Sequence, residues 1–254
     1  MASPLAQFTI EPIAPLHIGS LNVMFTNSSL AMVIGVILSA GFLMFAGRKA
    51  ALIPGRLQGF AEMIYEFIEN MVSENTGPEG LKYFPLIFTI FTFVLMGNFL
   101  GLMPFTFTFT SHLVVTFTMA VGVLLTVVIV GVARHGLKFF SIFVPAGVPI
   151  FILPVLVPVE IVSFLARPFS LGMRLFLNMM AGHIVLRIFA NFCIMMIGFG
   201  GILSLTSLIP FTIKVLVDAF EFFVALIQAY IFTIFSCIYM RDAIYLHGHE
   251  EHSH

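Results

Sequence analysis

The chain has 254 residues, of which 60% are hydrophobic and only 9% charged, with a mean hydropathy of +1.10. A soluble domain carries charge on about a quarter of its residues, so an ordinary globule is excluded; at roughly 20 residues per crossing, the length holds about five to six membrane helices in one all-α polytopic domain covering 1–254. The formal charge of −1 offers no basic field for nucleic acid, and Cys193 and Cys237 sit in apolar runs with no second thiol at ligand spacing, which gives no reason to expect a metal cluster or a disulfide framework.

No Lys or Arg precedes Arg48, so the charged start of a cleaved leader is missing and the N-terminus reads as mature. A first crossing is expected over 28–46. Arg48, Lys49 and Arg56 follow it at once, which places that end inside and the N-terminus outside. After Pro54-Gly55, the segment 56–72 carries Leu57, Phe60, Ile64, Phe67 and Met71 at helical spacing with Glu62, Glu66 and Glu69 on the other face. That pattern fits an amphipathic helix at the inner interface, facing water or a docked partner.

Crossings are expected over 84–103 and 113–133. The connecting PFTFTFTSH (Pro104 to His112) has no Lys or Arg and is placed outside; Arg134, His135 and Lys138 mark the inside again. Gly97 and Gly101 have the GxxxG spacing that lets helices approach closely. From 140 to 240 the apolar sequence is punctuated by Pro145, Pro149, Pro154, Pro158 and Pro168, which implies broken or tilted helices, tolerated where backbone is covered by protein or lines a wet cavity. A polar tail, 241–254, ends in HGHEEHSH, read as a disordered tail with only a weak likeness to a metal-binding tract.

Within that second half, Glu160, Arg167, Arg174, Arg187, Lys214, Asp218 and Glu221 are charged residues in apolar surroundings, with His183 among them. At about 3 kcal/mol each on insertion scales, leaving them in lipid is untenable, so they face one another, a partner or water. Glu160, Arg167 and Arg174 are spaced by sevens and fall within about 40° of one helix face. Lys214, Asp218, Glu221 and Gln228 form a second stripe. The GFGG run, Gly198 to Gly201, is a reversal signal. A turn near residue 202 sets His183 level with Glu221, Arg187 with Asp218, and Arg174 with Gln228.

The run RPFSLGMRLFLNMMAGH (Arg167 to His183), with EFFVALIQAYIF (Glu221 to Phe232) about forty residues later, resembles subunit a of the rotary F-type ATP synthase, and the whole order of segments is similar. The resemblance implies that the last two helices are long, steeply tilted and set against a ring of proton-carrying c subunits. It implies that Arg174 is the arginine separating two offset half-channels, and that Asn178, Gln228 and Glu160 line proton paths. His183 and Glu221 stand exchanged relative to many bacterial members, as in the mitochondrial and alphaproteobacterial arrangement. Which of the two holds the proton stays open. Further implied partners are the b and b′ peripheral-stalk subunits, the soluble catalytic sector indirectly, protons as the transported ion, and the lipid bilayer. No cofactor and no metal are expected, and the chain is not an enzyme on its own. Its location is a bacterial inner membrane, or alternatively the mitochondrial one.

The residue types suit that chemistry. A guanidinium stays charged at any working pH and has no acceptor lone pair, so it attracts a carboxylate yet passes no proton. An imidazole beside a carboxyl can exchange a proton in the physiological range. Glu160 would serve the inner exit, and Asn98, Ser111 and His112 the outer mouth; Arg167 reads as structural, and Arg187 with Asp218 as a satisfied ion pair. A secondary antiporter would show an internal repeat, which is not found. A photoactive pump built on Lys214 needs about seven crossings, more than fit. No GxxxxGK[ST] run exists to bind nucleotide.

Overall fold

The computed structural model describes residues 12–18, 21–48, 53–103, 106–144 and 151–245. The expected interruptions at Pro145 and Pro149 and the HGHEEHSH tail lie outside the described residues.

An antiparallel hairpin opens the chain: β1 (Pro12–Ile18) pairs with β2 (Leu21–Thr26), Pro15 opposite Met24 and Ile18 opposite Leu21. The sequence reading did not expect it. Helix α1 (Asn27–Gly47) follows directly, its first turn held where the Thr26 hydroxyl accepts the Ser29 N–H. At 21 residues it is roughly 31 Å long, the thickness of a hydrocarbon core.

Helix α2 (Arg56–Gly80) carries the amphipathic pattern past 72 and kinks at Gly77, followed by Pro78. A single 3₁₀ turn, Leu81–Tyr83, joins it to α3 (Phe84–Leu102); α4 (Leu113–His135) then leads into a 3₁₀ run, Gly136–Phe143. Helix α5 (Leu153–Phe199) contains Pro158 and Pro168 without ending at either. A short α6 (Ile202–Thr206) precedes α7 (Leu208–Ile244). Among the described residues, five helical stretches are long and apolar enough to cross a membrane, which makes the chain an all-α polytopic membrane protein apart from the N-terminal hairpin. At 1.5 Å per residue, the 47 residues of α5 reach roughly 70 Å and the 37 of α7 roughly 55 Å. Each is longer than one upright crossing of a core about 30 Å thick requires.

The reversal between them is carried by Gly200 and Gly201, at φ 66° and 63°. Two successive left-handed residues are open to glycine at little cost and strained for any other side chain.

Two compact units are distinguished. The first comprises Met1–Phe42, Thr92–Thr116 and Arg174–Ala229. In it, Phe109 is fully buried against Phe93, and Phe99 stacks on Phe222 with ring centroids 5.2 Å apart. The second comprises Leu43–Phe91, Phe117–Met173 and Tyr230–His254. Its core sets Val130, Met240 and Ile244 against Tyr83 and Leu86. Arg134 pairs with Glu79 there and lies over the Tyr83 ring, while the His135 Nε2–H donates to the Ile244 carbonyl at 3.0 Å, closing the end of α7. An open groove of about 330 Å³ lined by Leu43, Ala46, Tyr65 and Phe88 also belongs to this unit and contains none of the expected site residues.

Candidate functional site in the first unit

His183 on α5 and Glu221 on α7 are brought together, Nε2 to Oε1 at 3.9 Å; Glu221 is buried and His183 part-buried, with side chains 5% and 11% exposed. The separation is an ion-pair distance and too long for a direct hydrogen bond. Gly182 leaves the room that the Glu221 carboxyl occupies. A methyl group at that position would lie 2.5 Å from Glu221 Oε1 and 2.7 Å from its carboxyl carbon, so a side chain at 182 would displace the acid. His183 Nε2 also meets the Thr108 hydroxyl at 3.1 Å.

The same unit holds a set of buried polar atoms with no hydrogen-bond partner: Asn98 Oδ1, Thr110 Oγ1, His112 Nε2, Asn178 Nδ2, Gln228 Nε2 and both Glu221 carboxyl oxygens. Among the described residues these seven are all such atoms, and every one falls in the first unit. More than nine in ten buried polar groups in folded proteins are satisfied, and each exception calls for a cause such as water or a catalytic role. Their confinement to one unit marks a wettable region. Asn98 is fully buried, and its Nδ2 donates to the Ala225 carbonyl at 3.3 Å, tying α3 to α7. Ser111 donates to the Thr108 carbonyl at 2.6 Å, and His112 stacks on Phe107. Burial lowers the basicity of the His112 imidazole below the ordinary histidine value.

Arg174 is exposed, in line with Ala166, Ser170, Leu177, Ala181, Val185 and Ile188 along one face of α5. Nine residues separate it from His183, two and a half turns at roughly 100° per residue, so the two project from opposite faces and differ by roughly 13 Å in level. Gln228 lies two turns from Glu221 and is buried on the same side of α7.

The expected pair of Arg187 with Asp218 does not form. Asp218 is held by Lys214 one turn earlier on α7, at 3.0 Å. Level matching ignores azimuth: four residues past His183 and three before Glu221 rotate the two side chains about 40° and 60° off the shared seam, whereas the i, i+4 pair needs no register between helices. Glu160 lies in the second unit, where Arg167 reaches it at 3.9 Å and Asp242 at 3.2 Å, with its guanidinium over the Tyr239 ring. Sequence reasoning missed Thr108, Gly182 and Asp242. Asp242, as an acid at the end of an apolar run, was the one with a visible signal. Among the described residues no three His, Cys, Asp or Glu side chains converge where a metal ion could be held.

Five apolar helices, a His–Glu pair and a polar cluster needing water define an integral membrane protein of the ion-conducting kind. Residues 29–241 match the family described as ATP synthase A chain, and the chain belongs to that family. It is 49% identical over 247 residues to ATP synthase subunit a of Rhodospirillum rubrum, covering 97% of this chain and all of the relative. Subunit a of Paramagnetospirillum magneticum is 47% identical over 250 residues, with 97% and 100% covered, and that of Hyphomonas neptunium is 47% identical over 246 residues, with 97% of each. The chain is thus a multi-pass inner-membrane subunit of the proton-translocating ATP synthase, part of a larger complex and not an enzyme by itself.

Proposed function

We propose that the first unit forms the proton entry half-channel of a stator subunit, that His183 and Glu221 are its proton site, and that Arg174 separates this path from an exit path served by Glu160. The observation that carries the reading is the confinement of the unsatisfied buried polar atoms of the described residues to the unit that holds the His183–Glu221 pair. Water bridging those atoms links the 106–112 loop to the buried acid, and Asn178 and Gln228 extend the wet lining along α5 and α7. Arg174 is exposed on the face of α5 opposite His183, and the family resemblance sets it against the ring of c subunits, each carboxylate releasing its proton beside the guanidinium. The N-terminus and the 106–112 loop lie outside; the b and b′ subunits hold the stator.

The His183–Glu221 site is tested by exchange. His183→Glu alone sets two carboxyls together, and Glu221→His alone sets two imidazoles together; neither pair can be fully charged at once. Each single variant is expected to lower proton uptake in reconstituted complexes at least ten-fold. The double exchange restores one acid and one base at the same level and recovers much of the loss, the signature of groups in contact. A double variant no better than the worse single would contradict the shared site.

A further inference from the structure

The Gly97 and Gly101 spacing on α3 does not receive another helix; it seats a loop. Beyond Leu102 the chain turns back, with the Thr106 hydroxyl within reach of the Met103 carbonyl at 2.8 Å and also of the Leu100 carbonyl, and with Phe109–Ser111 forming a 3₁₀ turn. A methyl group on Gly97 would lie 2.5 Å from Phe109 Cζ, and one on Gly101 would lie 2.6 Å from Thr108 Cγ2. The two glycines are therefore the recess into which Thr108 and Phe109 pack. The depth of that seat sets Thr108 at the centre of three groups. Its hydroxyl lies 3.4 Å from the Gly101 carbonyl and 3.1 Å from His183 Nε2, the nitrogen that stands 3.9 Å from Glu221 Oε1.

We propose that Thr108 is a positioning residue for proton uptake, its hydroxyl fixing the His183 imidazole so that a proton on Nε2 lies beside the Glu221 carboxyl. The direction follows from the donor inventory. A carbonyl only accepts, so the single hydroxyl proton goes to the Gly101 oxygen, and the hydroxyl lone pairs are left for the Nε2–H. The loop thus selects the ring orientation and the protonated nitrogen, much as an outer carbonyl or carboxylate fixes the tautomer of a catalytic histidine. The inference rests on the reading of His183 and Glu221 as the proton site.

Three variants of the whole, reconstituted complex separate hydroxyl chemistry from packing. Thr108→Val keeps the methyl that fills the Gly101 recess and loses the hydroxyl; Thr108→Ser does the reverse. Proton uptake is expected to fall about five-fold in Thr108→Val, the worth of one hydrogen bond, with its pH profile displaced, while Thr108→Ser retains most of the rate and the original profile. Gly101→Ala pushes the loop off its seat and reproduces the Thr108→Val defect, and adding Thr108→Ser, which removes the obstructing methyl, restores part of the rate. Should Thr108→Val not assemble, Thr108→Ala against Thr108→Ser decides in the same way. A Thr108→Val complex equal to the parent in rate and pH profile, or Thr108→Ser as impaired as Thr108→Val, would overturn the proposal. His183→Gln, measured alongside, distinguishes the two levels: if it too is without effect, the proton-site reading fails; if it is impaired while Thr108→Val is not, only the role of Thr108 fails.

Discussion

His112 shows how a single side chain in the 106–112 loop answers to pH. Its Nε2 is buried without a partner, its ring stacks on Phe107 at 5.1 Å, and burial holds its pKa below the ordinary value of about 6.5. A histidine that resists protonation when folded favours the folded loop fully above that ordinary value. Below it the unfolded loop binds the proton more readily, and stability is lost as pH falls toward the depressed folded value. Amide exchange across 106–112 is therefore expected to accelerate between pH 7 and pH 5, and to lose that dependence in His112→Gln. An exchange rate in the parent protein free of this pH dependence, after correction for intrinsic chemistry, would contradict the assignment. At this scale the His183–Glu221 contact was legible because two residues equidistant from a glycine turn must share a level. Arg187 with Asp218 satisfied the same arithmetic and failed on azimuth, which a one-dimensional count does not contain. Thr108 was invisible because its partner is 75 positions away and the alternating Phe-Thr run has no feature that marks one hydroxyl over another.

Elements show a similar division. The apolar runs, their basic ends and the Gly200-Gly201 reversal follow from length, charge and glycine chemistry, and all were readable. Continuity of α5 through Pro158 and Pro168 was not, because a proline removes one backbone bond but a helix anchored on both sides of it survives the loss. The N-terminal hairpin was missed for the opposite reason: Pro12 and Pro15 argue against a strand, while Gly19-Ser20 between two short apolar runs was the signal in its favour. GxxxG is a rule about volume and says only that something approaches; on α3 that something is a loop. Gly182 makes the same point on α5. Gly182→Ala is expected to lower proton uptake at least five-fold by displacing the Glu221 carboxyl, with α5 still helical because alanine favours helix. Shortening the acid, Glu221→Asp, in the Gly182→Ala background should recover part of the rate although Glu221→Asp alone reduces it. If the two defects simply add, the close approach does not govern the acid's position.

For the whole molecule, five apolar helical stretches and a relative 49% identical over 97% of the chain place it in the membrane sector, and its orientation is read from charge. The absence of Lys and Arg before Arg48 and across Pro104 to His112 predicts that cysteines introduced at Asn22 and Thr110 react with an impermeant reagent from outside, and one at Lys138 from inside. Labelling of position 22 from the cytoplasmic side would reverse the account. Orientation decides which path is entry and which is exit, yet both require a barrier that no proton crosses. In the proposed account Arg174 meets that requirement, exposed on the face of α5 opposite His183. Each proton moving through 100 mV releases about 2.3 kcal/mol, so even a slow direct leak would dissipate the drive. The decisive measurement is ATP synthesis driven by an imposed proton gradient in assembled complexes carrying Arg174→Ala or Arg174→Gln, with passive proton permeability of the membrane sector recorded in parallel. Loss of coupled synthesis with altered permeability is the predicted result; parental rates of coupled synthesis in either variant would contradict the separator and, with it, the two-path account.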